Sequence, residues 1–243
     1  MKKSNLLLLG FYLTLLLSFL GYLLAARNYI DEHFEADKDV FQIEAQEKII
    51  GIDVPINHLI VQGNRSLQRL SLGKTTQLRT HSYGGSESVG YYEVYGDVLY
   101  ILGEMQCVEI QFANKLKSVR MVGSYTDVET GILEANADVY FIDGSENIQN
   151  LLYCDEGKFQ SLNIYLENSL LMLTQHDKSM ALTMDSLHVT MMNSNFEFDE
   201  RTGIEIGAIE IHSFNAENRI SVPSDYLEKI RQIKHYMEDY HLK

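Results

Sequence analysis

From Val98 onward, apolar and polar residues alternate in short segments that restart about every 21 residues. The restart points are Val98, Val119, Val139, Leu162, Leu182 and Ile204, with gaps of 21, 20, 23, 20 and 22. Val119-Arg-Met121, Val139-Tyr-Phe141, Leu162-Asn-Ile164-Tyr-Leu166, Leu182-Thr-Met184 and Ile204-Glu-Ile206 each set an apolar side chain at every second position. Period-two alternation is the sign of a strand with one buried face. Further alternating pieces, Leu187-His-Val189-Thr-Met191 and Ile209-Glu-Ile211-His212, fall between them, so each repeat holds at least two strands. Turn formers punctuate the repeats at Asn114, Gly123, Gly131, Asn136, Asp143-Gly144, Gly157, Asn168, Asn193 and Gly203. No stretch inside the block keeps a 3.6-residue period over ten residues, which disfavours βαβ units and helical solenoids. A fixed period in this range marks a solenoid in which each repeat is one turn of a coil. The pattern predicts an all-β solenoid, firmest over residues 98–214.

The flanks read differently. After Ile56, Leu59-Ile-Val61 ends at Gly63-Asn64, and Leu67, Leu70, Leu72 and Leu78 alternate with polar residues without keeping the period. His81 to Ser86 is turn material, and Tyr91–Val94 and Val98–Leu102 flank the tight-turn dipeptide Gly96-Asp97. At the other end Pro223-Ser224 is a stop-then-cap signal. Tyr226, Ile230, Ile233, Met237 and Tyr240 then recur at spacings of 4, 3, 4 and 3, which predicts an amphipathic helix over residues 223–243. Its expected role is to cover the open edge of the last coil, with a partner-binding helix as the alternative.

The N-terminus carries a second pattern. Met1-Lys2-Lys3 precedes Leu6 to Ala26, 21 residues without a charge. As a helix that run is about 31 Å long, matching an apolar bilayer thickness of about 30 Å. A cleavable signal has a shorter apolar core and small residues at the −3 position. Here Leu23 and Leu24 occupy that position for cleavage after Ala25 or Ala26. An uncleaved transmembrane anchor is therefore expected over residues 1–26, ahead of a cleaved signal or a buried soluble helix. Lys2 and Lys3 place its N-terminus in the cytoplasm. The charged stretch 27–50 then reads as a juxtamembrane stalk, and the main domain, 51–222, as periplasmic or extracellular.

Charge narrows the partners. Residues 27–243 carry 18 Lys and Arg against 34 Asp and Glu, a balance of −16. That argues against nucleic acid and anionic lipid headgroups, and is compatible with cations, basic proteins or uncharged glycans. Cys107 and Cys154 are 47 residues apart, about two coils. Two coil rises separate them by about 9–10 Å, beyond the roughly 7 Å that a disulfide spans. Two free, mostly buried thiols are expected.

Taken together, His58-Leu-Ile-Val-Gln-Gly63, Gly96-Asp-Val-Leu-Tyr-Ile101 and the later repeats over about 56–222 resemble the bacterial auto-transporter adhesin, head GIN domain family. The resemblance implies a right-handed parallel β-helix attached to a membrane or cell surface. It supplies no catalytic residues. The chain departs from that pattern in having fewer Gly and Ser in its repeats and a C-terminal helix. A leucine-rich-repeat spacing at Phe159-x-x-Leu162-x-Ile164 does not recur in the other repeats.

Motifs with chemistry are near misses. Gly73-Lys74-Thr75 resembles the end of a phosphate-binding loop, but Gln68 stands where its first glycine belongs. Ser71-x-x-Lys74 has a Ser–Lys nucleophile spacing without companion motifs. His235-x-x-Glu238-x-x-His241 has the spacing of ligands on a helix face, and equally of an exposed polar face at a chain end. His188, His212, Glu197, Asp199, Glu200, Glu205 and Glu210 would line one solvent face of the coils, as a carbohydrate-active solenoid requires, or simply be solvated. Asn64-Arg-Ser66 is a glycosylation sequon. No catalytic, cofactor-binding or metal residue is assigned, and no cofactor is expected. The expectation is a membrane-tethered β-solenoid that binds a protein or glycan partner through its surface, for adhesion or envelope organisation without catalysis. The alternative is a polysaccharide lyase or hydrolase.

Overall fold

A computed structural model describes residues 46–64, 67, 69–82, 91–103, 107–124, 126–144, 149–155, 157–176, 182–199, 203–214 and 217–236. The expected anchor Leu6 to Ala26 and most of the stalk lie outside these residues. Among the described residues no helix is long and apolar enough to cross a membrane.

The fold is all-β, with eighteen strands, one 3-10 turn (Thr130–Ile132) and one short α-helix among the described residues. Three sheets are formed. The largest is built from β2 (His58–Gln62), β5 (Tyr91–Tyr95), β6 (Val98–Leu102), β8 (Leu116–Val122), β10 (Leu133–Ile142), β12 (Gly157–Glu167), β14 (Leu182–Met192), β16 (Glu205–Phe214) and β18 (Ile230–Tyr236). Its order is β18-β16-β14-β12-β10-β8-β2-β6-β5, parallel throughout except for the β5–β6 hairpin. The second sheet is wholly parallel, in the order β17-β15-β13-β11-β9. Its strands are β9 (Val128–Glu129), β11 (Gln149–Tyr153), β13 (Leu170–Thr174), β15 (Asn195–Phe198) and β17 (Arg219–Ser221). Consecutive strands from β8 to β18 therefore alternate between a long-strand sheet and a short-strand sheet. A third sheet, β1-β4-β7-β3, joins β1 (Gln46–Ile52), β3 (Arg69–Leu72), β4 (Thr76–Ser82) and β7 (Cys107–Phe112), mostly antiparallel. It covers the region where the sequence loses its period.

The register fixes the repeat. Val119, Val139, Ile164, Val189, Ile211 and Ile233 align across neighbouring long strands, at steps of 20, 25, 25, 22 and 22 residues. The first predicted interval, Val98 to Val119, is not a step between neighbours, because β2 lies between β6 and β8 and pairs with both. The two motifs that carried the family resemblance are thus adjacent strands, with His58 opposite Val98 and Val61 opposite Ile101. Local alternation alone could not reveal this insertion, since β2, β6 and β8 present the same apolar pattern.

The inward residues of both main sheets meet in one core. Leu59, Val119, Val139, Ile164, Val189, Leu152, Leu171 and Phe196 are among its fully buried members. Each such side chain stabilises the fold by about 1.5–3 kcal/mol through removal from water.

Turns between the sheets are stacked as well. Gly63, Gly103, Gly123, Asp143, Asn168 and Asn193 each follow the last residue of a long-sheet strand, with φ between 47° and 69°. Only Gly, Asn and Asp enter that left-handed region readily. Each side-chain amide bonds the turn before it: Asn168 donates to Asp143 Oδ1 at 2.9 Å and Asn193 to Asn168 Oδ1 at 3.2 Å. The next position is a buried serine in three repeats, Ser124, Ser169 and Ser194. Its hydroxyl donates to the carbonyl two residues back and accepts the N–H of the preceding turn.

The C-terminus corrects one expectation. The helix is confined to Ser224–Leu227, and residues 230–236 form β18 instead of continuing it. A bulge at Arg231 aligns both Ile230 and Ile233 with the apolar column of β16, opposite Ile209 and Ile211. One inserted residue thereby turns a spacing of three into period two. A strand also satisfies the open ladder groups of β16, which a helix lying across it would leave unpaired. Met237 and Tyr240 lie outside the described residues.

Candidate functional site

The outer face of the long sheet is occupied by side chains that partner one another across strands. One column reads His58, Ser118, Asp138, Asn163, His188, Glu210. Within it His58 Nδ1 lies 2.7 Å from Ser118 Oγ, Asn163 donates to Asp138 Oδ1 at 2.7 Å, and His188 Nδ1 lies 3.3 Å from Glu210 Oε2. The next column reads Tyr100, Ile60, Arg120, Tyr140, Tyr165, Thr190, His212. Tyr140 and Tyr165 stack with ring centroids 4.5 Å apart, 9° from parallel, and the Arg120 guanidinium sits 5.7 Å from the Tyr140 ring. Burial, then the negative charges of Asp138 and Tyr165, push the Tyr140 phenol up to about 12. Aligned cross-strand pairs of this kind hold a sheet together, each contributing about 0.2–1 kcal/mol.

A different arrangement lies at the ends of the short strands. In Asp127-Val128-Glu129 the alternation buries Val128 completely and turns the flanking carboxylates outward. Tyr153-Cys154-Asp155 repeats the design one repeat later, with Cys154 buried and Tyr153 in register with Glu129. A further repeat brings His176 over Asp155. The His176 N–H donates to Asp155 Oδ1 at 2.7 Å, and His176 Nδ1 lies 2.7 Å from Oδ2. The His176 ring stacks on Tyr153 with centroids 3.7 Å apart and an interplanar angle of 13°. Arg69 and Leu70 of β3 form the facing wall of a cleft of about 370 Å³, with Asp127, Glu129, Tyr153 and His176 completing its lining. The cleft walls desolvate Asp127 and raise its pKa, against the pull of His176. The Tyr153 phenol is raised by burial and by the carboxylates of Asp127, Asp155 and Glu129. These groups share one electrostatic neighbourhood of mixed sign. They hold hydrogen-bond donors, acceptors and an aromatic pair, the ingredients of a small-ligand site.

The sequence-predicted residues are placed elsewhere. His188, Glu210, His212 and Glu205 belong to the long sheet, whereas Glu197 is on β15 and Asp199 follows it, accepting from Thr174 Oγ1 at 3.1 Å. They do not line one face, and Glu200 lies outside the described residues. His235 is on a strand, so the helical spacing to Glu238 and His241 does not apply, and both of those lie outside the described residues. Among the described residues no three His, Cys, Asp or Glu side chains converge as metal ligands. Ser71 donates to Glu109 Oε1 at 2.9 Å, and Lys74-Thr75 is an exposed turn between β3 and β4. Asn64 of the sequon is fully buried, with Oδ1 accepting the Leu67 N–H at 3.0 Å. Cys154 is a free, buried thiol whose pKa burial raises; the Cys107 side chain is outside the described set. The cleft residues Arg69, Asp127, Glu129, Tyr153, Asp155 and His176 escaped the sequence reading. Their one signal was a polar residue on each side of a buried one, recurring at the second strand of the repeat.

No family model matches the chain, and no curated protein matches it in sequence. The resemblance to the head GIN domain therefore has no family match behind it. Two solved structures, both of proteins named putative adhesins, are similar to it. The one from Bacteroides fragilis NCTC 9343 is 10% identical, covers 80% of this chain and 99% of its own, and has a TM-score of 0.37. The one from Parabacteroides merdae ATCC 43184 is 9% identical, covers 80% of this chain and 94% of its own, and also has a TM-score of 0.37.

Proposed function

We propose that this chain is a non-catalytic envelope protein that displays an exported β-solenoid for binding or adhesion, tethered in a membrane through Leu6 to Ala26 with its N-terminus cytoplasmic. The alternation of consecutive strands between two parallel sheets, at register steps of 20 to 25 residues, supports the solenoid reading. The observation that carries the binding role is the cleft of Arg69, Asp127, Glu129, Tyr153 and His176. Long-sheet polar groups are largely consumed by one another, whereas the cleft presents charged and aromatic groups to an open volume. The test measures attachment of the purified chain to isolated envelopes, comparing the parent with a His176→Ala/Asp127→Asn variant. Saturable attachment that the variant loses is the expected result. Equal attachment of both chains would remove the cleft from the function.

One observation favours a second reading, a carbohydrate-active enzyme. Asp127, with its raised pKa, stands in the same cleft as the His176–Asp155 pair, on successive repeats. A carboxyl of raised pKa beside an oriented imidazole is an acid–base set. Release of new reducing ends or unsaturated sugars from polysaccharides, abolished by Asp127→Asn, would establish it over the binding reading.

A further inference from the structure

We propose that the short-strand cleft receives a sugar residue carrying no negative charge, with amino sugars preferred. This rests on the binding reading above and names its ligand class. Three carboxylates, Asp127, Glu129 and Asp155, stand in or beside the cleft against one guanidinium, Arg69, with the His176 imidazole paired to Asp155. Asp155 is already committed to His176 at 2.7 Å. Asp127 and Glu129 remain, and positions two apart on an extended strand project to one side. A uronate or phosphate entering there meets two carboxylates against the one Arg69 guanidinium, whereas an ammonium brings three donors to the two carboxylates. The charge of the whole chain, −14, acts in the same sense at longer range.

Shape and hydrogen bonding point to a sugar rather than a bare amine. At about 370 Å³ the cleft is at the lower end of the roughly 300–1,000 Å³ range of ligand sites, room for one or two rings. Tyr153 and His176 supply a stacked aromatic wall. The bond that His176 Nδ1 donates to the Asp155 carboxylate leaves His176 Nε2 for a ligand hydroxyl. Tyr153 stays a neutral phenol at physiological pH, able to donate and accept. The donor and acceptor mixture matches vicinal hydroxyls, which a simple ammonium lacks.

The test uses the full chain in detergent and three probes of equal length, the tetramers of glucosamine, N-acetylglucosamine and galacturonic acid, with binding read by calorimetry. The glucosamine tetramer is expected to bind about two- to fivefold tighter than the N-acetylglucosamine tetramer, the range of an exposed ion pair. That preference should shrink in 0.5 M salt, where screening acts within about 4 Å. The galacturonic acid tetramer should show no binding. An Asp127→Asn/Glu129→Gln variant should lose the preference and keep the neutral probe, and His176→Ala should weaken both. Far-UV circular dichroism verifies that each variant is folded. If the galacturonic acid tetramer binds as well as the others, or the preference survives in the Asn/Gln variant, the charge argument is overturned while the binding role stands. If none of the three binds, the sugar assignment is overturned, and the envelope attachment assay decides the binding role separately.

Discussion

Replacing Ser194 by alanine tests whether the stacked corners hold the repeats together. Ser194 is 2% exposed, and its hydroxyl is the acceptor for the Ser169 N–H at 3.1 Å. It also donates to the Met192 carbonyl at 2.6 Å. In Ser194→Ala that carbonyl keeps the Asn168 N–H at 3.0 Å. The Ser169 N–H, 25 residues away in sequence, keeps no replacement and no route to water. Leaving one buried donor unsatisfied costs about 1–3 kcal/mol. Ser186→Ala removes a hydroxyl that donates to the Gln160 carbonyl at the surface, where water substitutes, and should cost less than about 0.5 kcal/mol. Ser169→Ala orphans a different group, the Gly144 N–H, but Ser169 and Ser194 are themselves hydrogen-bonded, so the double variant should depart from the sum of the two losses by a measurable coupling. Urea unfolding followed by far-UV circular dichroism measures all four chains. In thermal unfolding the melting temperature should drop by about 2–4 °C per kcal/mol. A Ser194→Ala chain as stable as Ser186→Ala would refute the corner as a source of stability.

Three further outcomes follow from single positions. A Cβ on Gly207 would lie 2.7 Å from the Asp185 carbonyl oxygen, so Gly207→Ala forces two backbones apart and should cost about 1–3 kcal/mol in the same unfolding assay; at Gly73 only the side-chain end of Gln111 is met, and Gly73→Ala should be nearly neutral. Cys154 is buried with its thiol pKa raised, so in a Cys107→Ser background a thiolate-directed reagent at pH 8 should label it only after urea is added; rapid labelling of that native variant would contradict the buried position. Tyr140 keeps its proton to about 12 in the fold but releases it near 10 when unfolded, so the native state binds more protons between those values and its stability falls as pH rises from about 10. Tyr140→Phe should flatten that decline, and an unchanged slope in alkaline urea titrations would place the raised phenol elsewhere.

Strand content, most turn positions and the existence of a repeat were legible because each is a local consequence of residue type; Asn136 and Gly157, also expected at turns, lie in β10 and β12. Period two decides which face of a strand is buried, and Asp143, Asn168 and Asn193 mark the corners because few other residues tolerate φ near 50°. What was not legible depends on pairing. Strand β2 precedes the repeats in sequence yet inserts between β6 and β8, a choice made by ladder geometry and not by its own alternation. Tyr226, Ile230 and Ile233 have a helical spacing, and a single bulge reconciles it with a strand. Spacing alone cannot distinguish these outcomes when an open sheet edge is available as a template.

The cleft was hidden for a related reason. Its residues span positions 69 to 176, and their local signal is no more than the polar–buried–polar triplet at 127–129 and 153–155. They meet because β9, β11 and β13 pair in parallel, so that a polar residue beside a buried one is carried over its counterpart 21 to 24 residues away. The restart points Val98, Val119, Val139, Leu162 and Leu182 lie on the long-sheet strands, whose polar columns satisfy themselves through His188 with Glu210, Asn163 with Asp138, and Tyr140 with Tyr165. The short strands obey the same repeat in a second phase. There the strands are too brief to continue the columns, and β3 supplies a wall with Arg69 instead of another aligned row. Side chains in a continued column find partners above and below; those at the end of a two-residue strand do not. A repeat fold therefore frees polar groups for a ligand where its own repetition is interrupted, and in this chain that place is β9.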